Sequence, residues 1–321
     1  MKANSFILIA IMVSAPFILL AQVSQKVIIA TNDLHNLYWA TGQDSLLLFY
    51  NKLIPKNKPV AALVILPGGG ETLDDVMKQI SLHKLAVEKD ILVVLPSINW
   101  GTVKKDEEIK FLNTIFEQLV SEYQIPKDKF ILGGFSGGGM LALTYAERAN
   151  SGGETFLKPR AIFGVDPPVD YAHLWNQCER DVERNFSEPA VSEGKYIMEE
   201  YRKEFGGSPQ EVPQNYIKYS IYSHDQKDGG NAKYLATTPI LLYTEPGISW
   251  QLQNRHRDIY DLNCTDISAM INLLQLQGNK NAEVIVTHNK GKRLNGEIHP
   301  HSWSVMDSEE CLNWILRQME K

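Results

Sequence analysis

A serine set among glycines is the residue whose surroundings most clearly indicate chemistry. Residues 134–138 read GFSGG and match the pattern G-x-S-x-G. An apolar run typical of a buried strand precedes them, and a helix-forming run begins at Met140. On such a sharp strand-to-helix turn the serine hydroxyl projects into open space, and glycines relieve the crowding of a strained backbone. The pattern therefore predicts that Ser136 is a nucleophile.

Two other glycine-rich motifs fit this segment less well. A phosphate-binding loop needs Lys-Ser or Lys-Thr after its glycines, and neither pair follows here. A dinucleotide-binding turn follows the first strand of its unit, whereas this segment follows about the fifth predicted strand. Both alternatives are disfavoured.

A second glycine run could stabilise negative charge on a reacting carbonyl oxygen. Residues 66–72 read LPGGGET, directly after the third predicted strand. In a nucleophilic serine site, one backbone N–H from such a loop and one from the residue after the serine hold the oxyanion. We expect Gly69 or Gly70 to supply the first donor and Gly137 the second. The same run also suits a tight turn before a helix.

The general base should be a histidine near the end of the chain, because serine, acid and histidine occur in that order around such a turn. Of eight histidines, we favour His301, which comes just before the last predicted helix. His299 is the main rival, although it precedes Pro300 and is held extended. His288 lies too close to the end of the preceding strand.

Three carboxylates are candidates for the acid of the triad. The acid is expected after the seventh predicted strand, where Glu245 is the single carboxylate of the turn. A glutamate there could orient the imidazole and stabilise its protonated form. Asp258 and Asp261 are the rivals, although neighbouring arginines make ion pairing an alternative role for them, and Glu245 too could pair with an arginine.

These residues need a framework, and alternating strand and helix patterns supply one. Near-continuous apolar strands separated by amphipathic helices predict a mainly parallel sheet of α/β class, buried on both faces. The first two strands suggest an antiparallel start. Roughly 70 residues without a strand follow the sixth, far more than an ordinary connection, and we interpret about 167–237 as a helical cap. The predicted strands are 26–30, 45–50, 61–66, 91–95, 130–134, 161–165, 239–244 and 283–287.

The composition is that of an ordinary globular protein. The 321 residues carry a formal net charge of −6 and 22% charged residues, without a basic stripe for nucleic acid. The first residues combine a positive start with an apolar run of about 15 residues, shorter than the roughly 20 of a spanning helix. We therefore expect residues 1–21 to be a signal peptide, the mature chain to be exported without stable membrane insertion, and residues 22–321 to form the folded domain.

Together, the glycine loop at 66–72, the turn at 133–139 and the histidine segment at 283–303 resemble the α/β-hydrolase superfamily. The resemblance extends by strand order over nearly all of 26–321 and is greatest to secreted esterase and peptidase-like branches. It implies an eight-stranded sheet with helices on both faces. It also implies a serine hydrolase that cleaves ester or amide bonds of a small-molecule or polymer-linked acyl substrate without a cofactor, with esters preferred to peptides. The departure is the missing aspartate after the seventh strand, where Gly247 and Ile248 stand.

That departure keeps other functions open. Members of the superfamily that have lost the triad serve as binding proteins, and acyl transfer would use the same residues with another acceptor. A metal site has little support, because neither an H-E-x-x-H pattern nor cysteines at zinc spacing occur. Whether any pair forms among the three cysteines, Cys178, Cys264 and Cys311, is left open, as is the oligomeric state.

Overall fold

Eight strands form one twisted, mostly parallel sheet at the centre of the protein. The computed structural model describes residues 23–29, 37–38 and 48–320. The strand order is β1-β2-β4-β3-β5-β6-β7-β8, in which β1 and β2 are antiparallel to their neighbours and all later pairings are parallel. The strands are β1 Val23–Ile29, β2 Leu48–Ile54, β3 Ala61–Leu66, β4 Ile91–Pro96, β5 Phe130–Phe135, β6 Ala161–Val165, β7 Ile240–Thr244 and β8 Ala282–Val286.

The predicted eight-stranded α/β sheet is therefore confirmed, with its antiparallel start. Every residue of β3 to β7 is buried, as expected for strands covered by helices on both faces. The proposed signal peptide at 1–21 lies outside the described residues.

In the described part of the chain, ten α-helices connect or cover the strands. The last helix is capped by Asp307, whose side chain accepts hydrogen bonds from the backbone N–H groups of Glu309 and Glu310. The helices are α1 Leu73–Gln79, α2 Leu82–Val87, α3 Asp106–Tyr123, α4 Gly137–Ser151, α5 Tyr171–Arg184, α6 Glu188–Phe205, α7 Pro213–Tyr219, α8 Ile248–Asn254, α9 Asn263–Leu276 and α10 Ser308–Met319.

The long interval between β6 and β7 is helical, as the cap prediction requires. Helices α5, α6 and α7 fill it, and the first two pack against each other. Glu204 of α6 accepts hydrogen bonds from the backbone N–H groups of Val103 and Lys104, at 2.7 and 3.1 Å. The cap is thus tied to the loop that follows β4, on the side of the sheet where β3 and β5 also end.

A polar cluster fastens the base of the cap to α9. Asp266 accepts hydrogen bonds from His173 Nδ1 at 2.6 Å and from His224 Nε2 at 2.9 Å. Burial alone would lower the pKa of His173, but the hydrogen bond and charge of Asp266 raise it; the same hydrogen bond raises the pKa of His224. Asp266 is itself buried, which would raise its pKa, yet the two histidines lower it. The nearby Asp170 binds the backbone N–H groups of both histidines.

The cysteine question left open by the sequence is settled for this fold. Cys178, Cys264 and Cys311 are all buried and unpaired, and burial raises the pKa of the Cys178 and Cys264 thiols to about 12. Within the described part of the chain, no helix combines the length and apolar character needed to cross a membrane.

Candidate active site

Ser136 lies on the strained turn that the sequence predicts. It directly follows β5 and is the N-cap residue of α4, with φ 51° and ψ −117°. Non-glycine residues adopt this backbone conformation rarely, and such strained residues cluster at functional sites. Its N–H donates to Val165 O at 2.9 Å, and its carbonyl accepts from Met140 N at 3.0 Å. Its side chain lines a pocket of about 510 Å³.

Two glycines beside the serine allow the turn to close against β3. A Cβ at Gly138 would lie 2.4 Å from Leu66 O and 2.5 Å from Pro67 O, and one at Gly134 would lie 2.5 Å from Leu66 O. Any side chain at either position would therefore collide with backbone. The glycines of the motif are a steric requirement of this turn.

Hydrogen bonding distinguishes between Gly69 and Gly70, the two predicted oxyanion donors on the β3 loop. Gly70 N donates to Asn99 O at 2.8 Å, so its N–H is committed and the expectation that it could be a donor is corrected. Gly69 lines the pocket with Gly137. Neither of these two N–H groups has a hydrogen-bond partner among the described residues, and Gly137 N opens α4, where positive helix-dipole charge faces the pocket.

His301 is held by a carboxylate other than the predicted one. Its Nδ1 lies 2.6 Å from Oδ2 of Asp166, the residue directly after β6. Asp166 has φ 49° and is 7% exposed. Its Oδ1 accepts from Thr244 Oγ1 at 2.5 Å, and its Oδ2 lies 3.4 Å from Asn263 Nδ2. Because Asp166 occupies Nδ1, Nε2 is the ring nitrogen of His301 that remains for a second partner.

Glu245 binds backbone in place of His301, which corrects the predicted acid. Its carboxylate accepts from Thr287 Oγ1 at 2.9 Å, Lys290 N at 2.8 Å and Gly291 N at 3.2 Å. These contacts engage both carboxylate oxygens and anchor the segment that leads from β8 towards His301. The strand-order argument failed because the carboxylate that contacts His301 follows β6 and not β7. The available signal was a lone aspartate at the end of a buried strand, ahead of Pro167 and Pro168.

The rival acids are engaged elsewhere. Asp261 forms ion pairs with Arg180 and Arg184, and Asp258 accepts from Tyr260 N at 2.8 Å as the N-cap of a short 3₁₀ turn. Asp261 thus has the ion-pairing role weighed from the sequence, whereas Asp258 is a cap, a role that was not expected from the sequence.

The rival base, His299, lines the same pocket but has a different environment. Its ring packs against Trp250, with centroids 4.5 Å apart, and its Nδ1 lies 3.4 Å from Arg293 Nη2. Burial, with the positive charges of Arg293 and Arg255, lowers the pKa of His299 to about 3. No carboxylate among the described residues hydrogen-bonds its ring, so His301 is the histidine with an orienting partner.

Glu71 connects the oxyanion loop to the histidine segment. Its Oε2 accepts from Gly68 N at 2.8 Å and from Trp303 Nε1 at 2.9 Å, and its Oε1 accepts from Gln79 Nε2 at 2.8 Å. Trp303 and His301 both pack against Phe135, with ring centroids 5.6 and 4.5 Å away. Sequence reasoning missed this carboxylate, because its partners lie far apart along the chain.

The cap forms one wall of the pocket and is not a peripheral decoration. Pocket residues on the cap include Leu174, Tyr196, Ile197 and Tyr201. Ser136 Oγ and His301 face the same space, although the described residues include no hydrogen bond between them; such bonds are often long before substrate is bound. Within the described residues, no cluster of three or more His, Cys, Asp or Glu side chains is arranged to hold a metal ion.

No protein-family model and no curated protein matches the sequence. Solved structures do match. The acylaminoacyl peptidase of Pyrococcus horikoshii has a TM-score of 0.57 at 14% identity, over 94% of this chain and 42% of the peptidase chain. This chain thus spans about two fifths of that protein's length.

Two shorter proteins match over most of their own length as well. An S-formylglutathione hydrolase from Agrobacterium tumefaciens has a TM-score of 0.58 at 12% identity, over 93% of this chain and 96% of the other. An esterase of Pyrobaculum calidifontis has a TM-score of 0.52 at 15% identity, over 93% and 84%. At these identities the likeness establishes architecture alone. Sheet order, serine turn and structural neighbours agree, and the chain has the α/β-hydrolase fold.

Proposed function

We propose that the protein is a serine hydrolase that cleaves an ester or amide bond through an acyl-enzyme. Ser136 is the nucleophile, His301 the general base and Asp166 the acid that orients it. The observation that carries the proposal is the 2.6 Å contact between His301 and Asp166 beside a serine on a strained turn. The missing aspartate after β7, which favoured a binding protein, loses its force as an argument because Asp166, directly after β6, contacts His301 instead.

The chemistry follows from the positions of these groups. Ser136 Oγ attacks the substrate carbonyl carbon while His301 Nε2 takes the hydroxyl proton, and Asp166 stabilises the imidazolium that results. The oxyanion is held by Gly69 N–H and Gly137 N–H. The tetrahedral intermediate collapses, and the leaving group departs with the proton from His301. Water then attacks the acyl carbon, His301 takes its proton, and release of the acid returns that proton to Ser136.

The pocket favours a small substrate over a polypeptide. Its volume of about 510 Å³ falls within the range of roughly 300–1,000 Å³ that is usual for small-molecule sites. Cap helices bound it on one side. We therefore propose carboxylic ester hydrolysis as the preferred activity, which agrees with the esterase and S-formylglutathione hydrolase among the structural neighbours.

A fluorophosphonate probe tests the nucleophile directly. We expect covalent labelling of the wild-type chain and none of Ser136→Ala, while Ser151→Ala remains labelled. Ser151 is a matched control, since it ends the same helix, is exposed, and binds only Arg148 O at 3.2 Å. Labelling of Ser136→Ala at the wild-type level would exclude Ser136 as the nucleophile.

We also propose that the protein is exported after removal of residues 1–21. The support is the sequence pattern of a positive start, an apolar run and a small residue at Ala21. Mass spectrometry of the chain secreted from cells that express the full sequence should show an N-terminus at Gln22. Recovery of the protein only with Met1 retained would contradict export by this route.

A further inference from the structure

Arginines crowd the end of the pocket beside His299, and they divide into two groups. Arg257 binds both carboxylate oxygens of Asp181, while Arg180 and Arg184 share Asp261. Both aspartates are nearly fully buried, with side chains 1% exposed. The buried carboxylates of this region are thus already neutralised by three of the guanidinium groups.

Arg255 and Arg293 form the second group, and both line the pocket. Within the described part of the chain, neither has a carboxylate oxygen within 4.0 Å. Arg255 donates to Ser187 Oγ at 3.1 Å, and Arg293 Nη2 lies 3.4 Å from His299 Nδ1. These neutral contacts hold the side chains in place without cancelling their charge.

The two guanidinium groups also lie in a partly dehydrated setting. Burial lowers the pKa of both, and the neighbouring Arg257 lowers that of Arg255 further. Two positive charges that lose water without gaining an ion pair cost free energy. An anion between them would recover that cost, and a carboxylate matches the forked geometry of guanidinium.

The arginines are connected to the reacting groups through aromatic contacts. Arg255 lies over the Trp250 ring, 5.8 Å from its centroid, and Trp250 packs on His299. His299 precedes the base, His301, by two residues. Its lowered pKa of about 3 keeps its ring neutral, so it adds a hydrogen-bonding group to this wall without a third charge.

One acidic side chain opposes this arrangement. Glu193 of the cap lines the pocket and attracts Arg255 and Arg293 electrostatically. It is exposed and forms no ion pair with either within 4.0 Å. Glu200, the other cap glutamate of the pocket, is paired with Lys203. Glu193 therefore competes weakly with an anionic ligand.

We propose that the substrate carries a second, non-reacting anionic group, a carboxylate in the simplest case, which Arg255 and Arg293 hold on the His299 side of the pocket. This inference deepens the hydrolase proposal and rests on it for the reaction. The substrate class would be an acid ester, such as a monoester of a dicarboxylic acid or an acyl ester of a hydroxy acid.

Matched pairs of esters test the proposal. Mono-4-nitrophenyl glutarate and 4-nitrophenyl valerate differ in a carboxylate against a methyl group on the acyl side. The esters 4-acetoxybenzoate and 4-methylphenyl acetate differ likewise on the leaving-group side. For each pair, the measured quantity is the ratio of kcat/KM for the anionic ester to that for the neutral ester.

We expect Arg255→Gln and Arg293→Gln each to lower this ratio about tenfold or more in at least one pair, as loss of a charge-assisted contact implies. Glu193→Gln should raise the ratio, because a competing carboxylate is removed. Arg317→Gln, which neutralises an exposed arginine of α10 outside the pocket, should leave it unchanged. Ratios that stay within twofold of wild type in both pairs for both arginine variants would overturn the proposal.

A binding measurement separates this inference from the hydrolase proposal. Calorimetry on Ser136→Ala should detect monomethyl glutarate but not methyl valerate, and the added Arg255→Gln and Arg293→Gln changes should abolish the heat. If the wild type hydrolyses none of the four esters, the hydrolase proposal fails while this binding result can still stand. Equal binding with and without the two arginines would refute the anion site alone.

Discussion

Replacing Asp166 by asparagine distinguishes the acid found after β6 from the one expected after β7. The change preserves the shape of the side chain and removes its charge. Thr244 donates to Oδ1 of Asp166, so the amide oxygen of asparagine should take that position. The amide NH₂ then faces Nδ1 of His301, where the carboxylate oxygen now accepts at 2.6 Å.

Two effects combine in the expected loss. A charge-assisted hydrogen bond to the imidazolium contributes about 1.5–3 kcal/mol, or roughly 10- to 150-fold in rate. In addition, an NH₂ donor facing Nδ1 forces the ring proton onto Nε2, so that His301 cannot accept the proton of Ser136. Together we expect kcat to fall about 10⁴-fold, close to 5.5 kcal/mol of transition-state stabilisation.

The assay is hydrolysis of 4-nitrophenyl butyrate by purified protein, with urea unfolding measured on each variant. Glu245→Gln is the matched control, because it neutralises an equally buried glutamate that binds Thr287 and backbone. We expect this control to lose about 1–3 kcal/mol of stability and far less activity than Asp166→Asn. The reasoning is refuted if Glu245→Gln loses activity about 10⁴-fold while Asp166→Asn stays near wild type.

Two further predictions concern stability. Gly138→Ala should destabilise the fold by about 1–3 kcal/mol or more, because its Cβ would lie 2.4 Å from Leu66 O. Gly137→Ala should be close to neutral, because its Cβ would meet no atom within 4 Å. Equal loss of stability for the two variants in urea unfolding would contradict this prediction. Asp266→Asn should destabilise most between about pH 4 and 6.5. The pKa values of its two histidine partners are raised, so their contribution to stability is complete below about pH 6.5 and is lost as the pH rises through the folded-state values. The pKa of Asp266 is lowered, so its contribution is complete above about pH 4 and is lost as the pH falls further. Unfolding of both proteins at pH 5.5 and 9 measures this, and an equal difference at both values would argue against the ion pairs.

Much of the fold was predictable because burial imposes a local pattern. The apolar strands β3 to β7 were placed within a residue or two, since a strand covered on both faces has little freedom in composition. Ser136 was predictable for a related reason: the turn that exposes its hydroxyl excludes side chains at neighbouring positions, which leaves glycines in the sequence.

The acid and the oxyanion donor depend on contacts that no local pattern records. Asp166 and Glu245 each follow a parallel strand, and β6 and β7 are neighbours whose carboxyl ends reach the same edge of the sheet. Only the path of the segment before His301 decides which one meets the imidazole, and that path is itself set by Glu245. Likewise, the Gly70 N–H is unavailable as an oxyanion donor because it donates to Asn99 O, which the glycine run alone could not reveal.

The hydrogen bond between Glu71 and Trp303 spans 232 positions along the chain. A growing polypeptide that stops short of His301 would therefore lack more than the proposed proton acceptor, since without Trp303 the loop that presents Gly69 would also be missing one of its anchors. Catalytic activity should then arise in a single step when the C-terminal segment docks, and partly synthesised chains should be inactive.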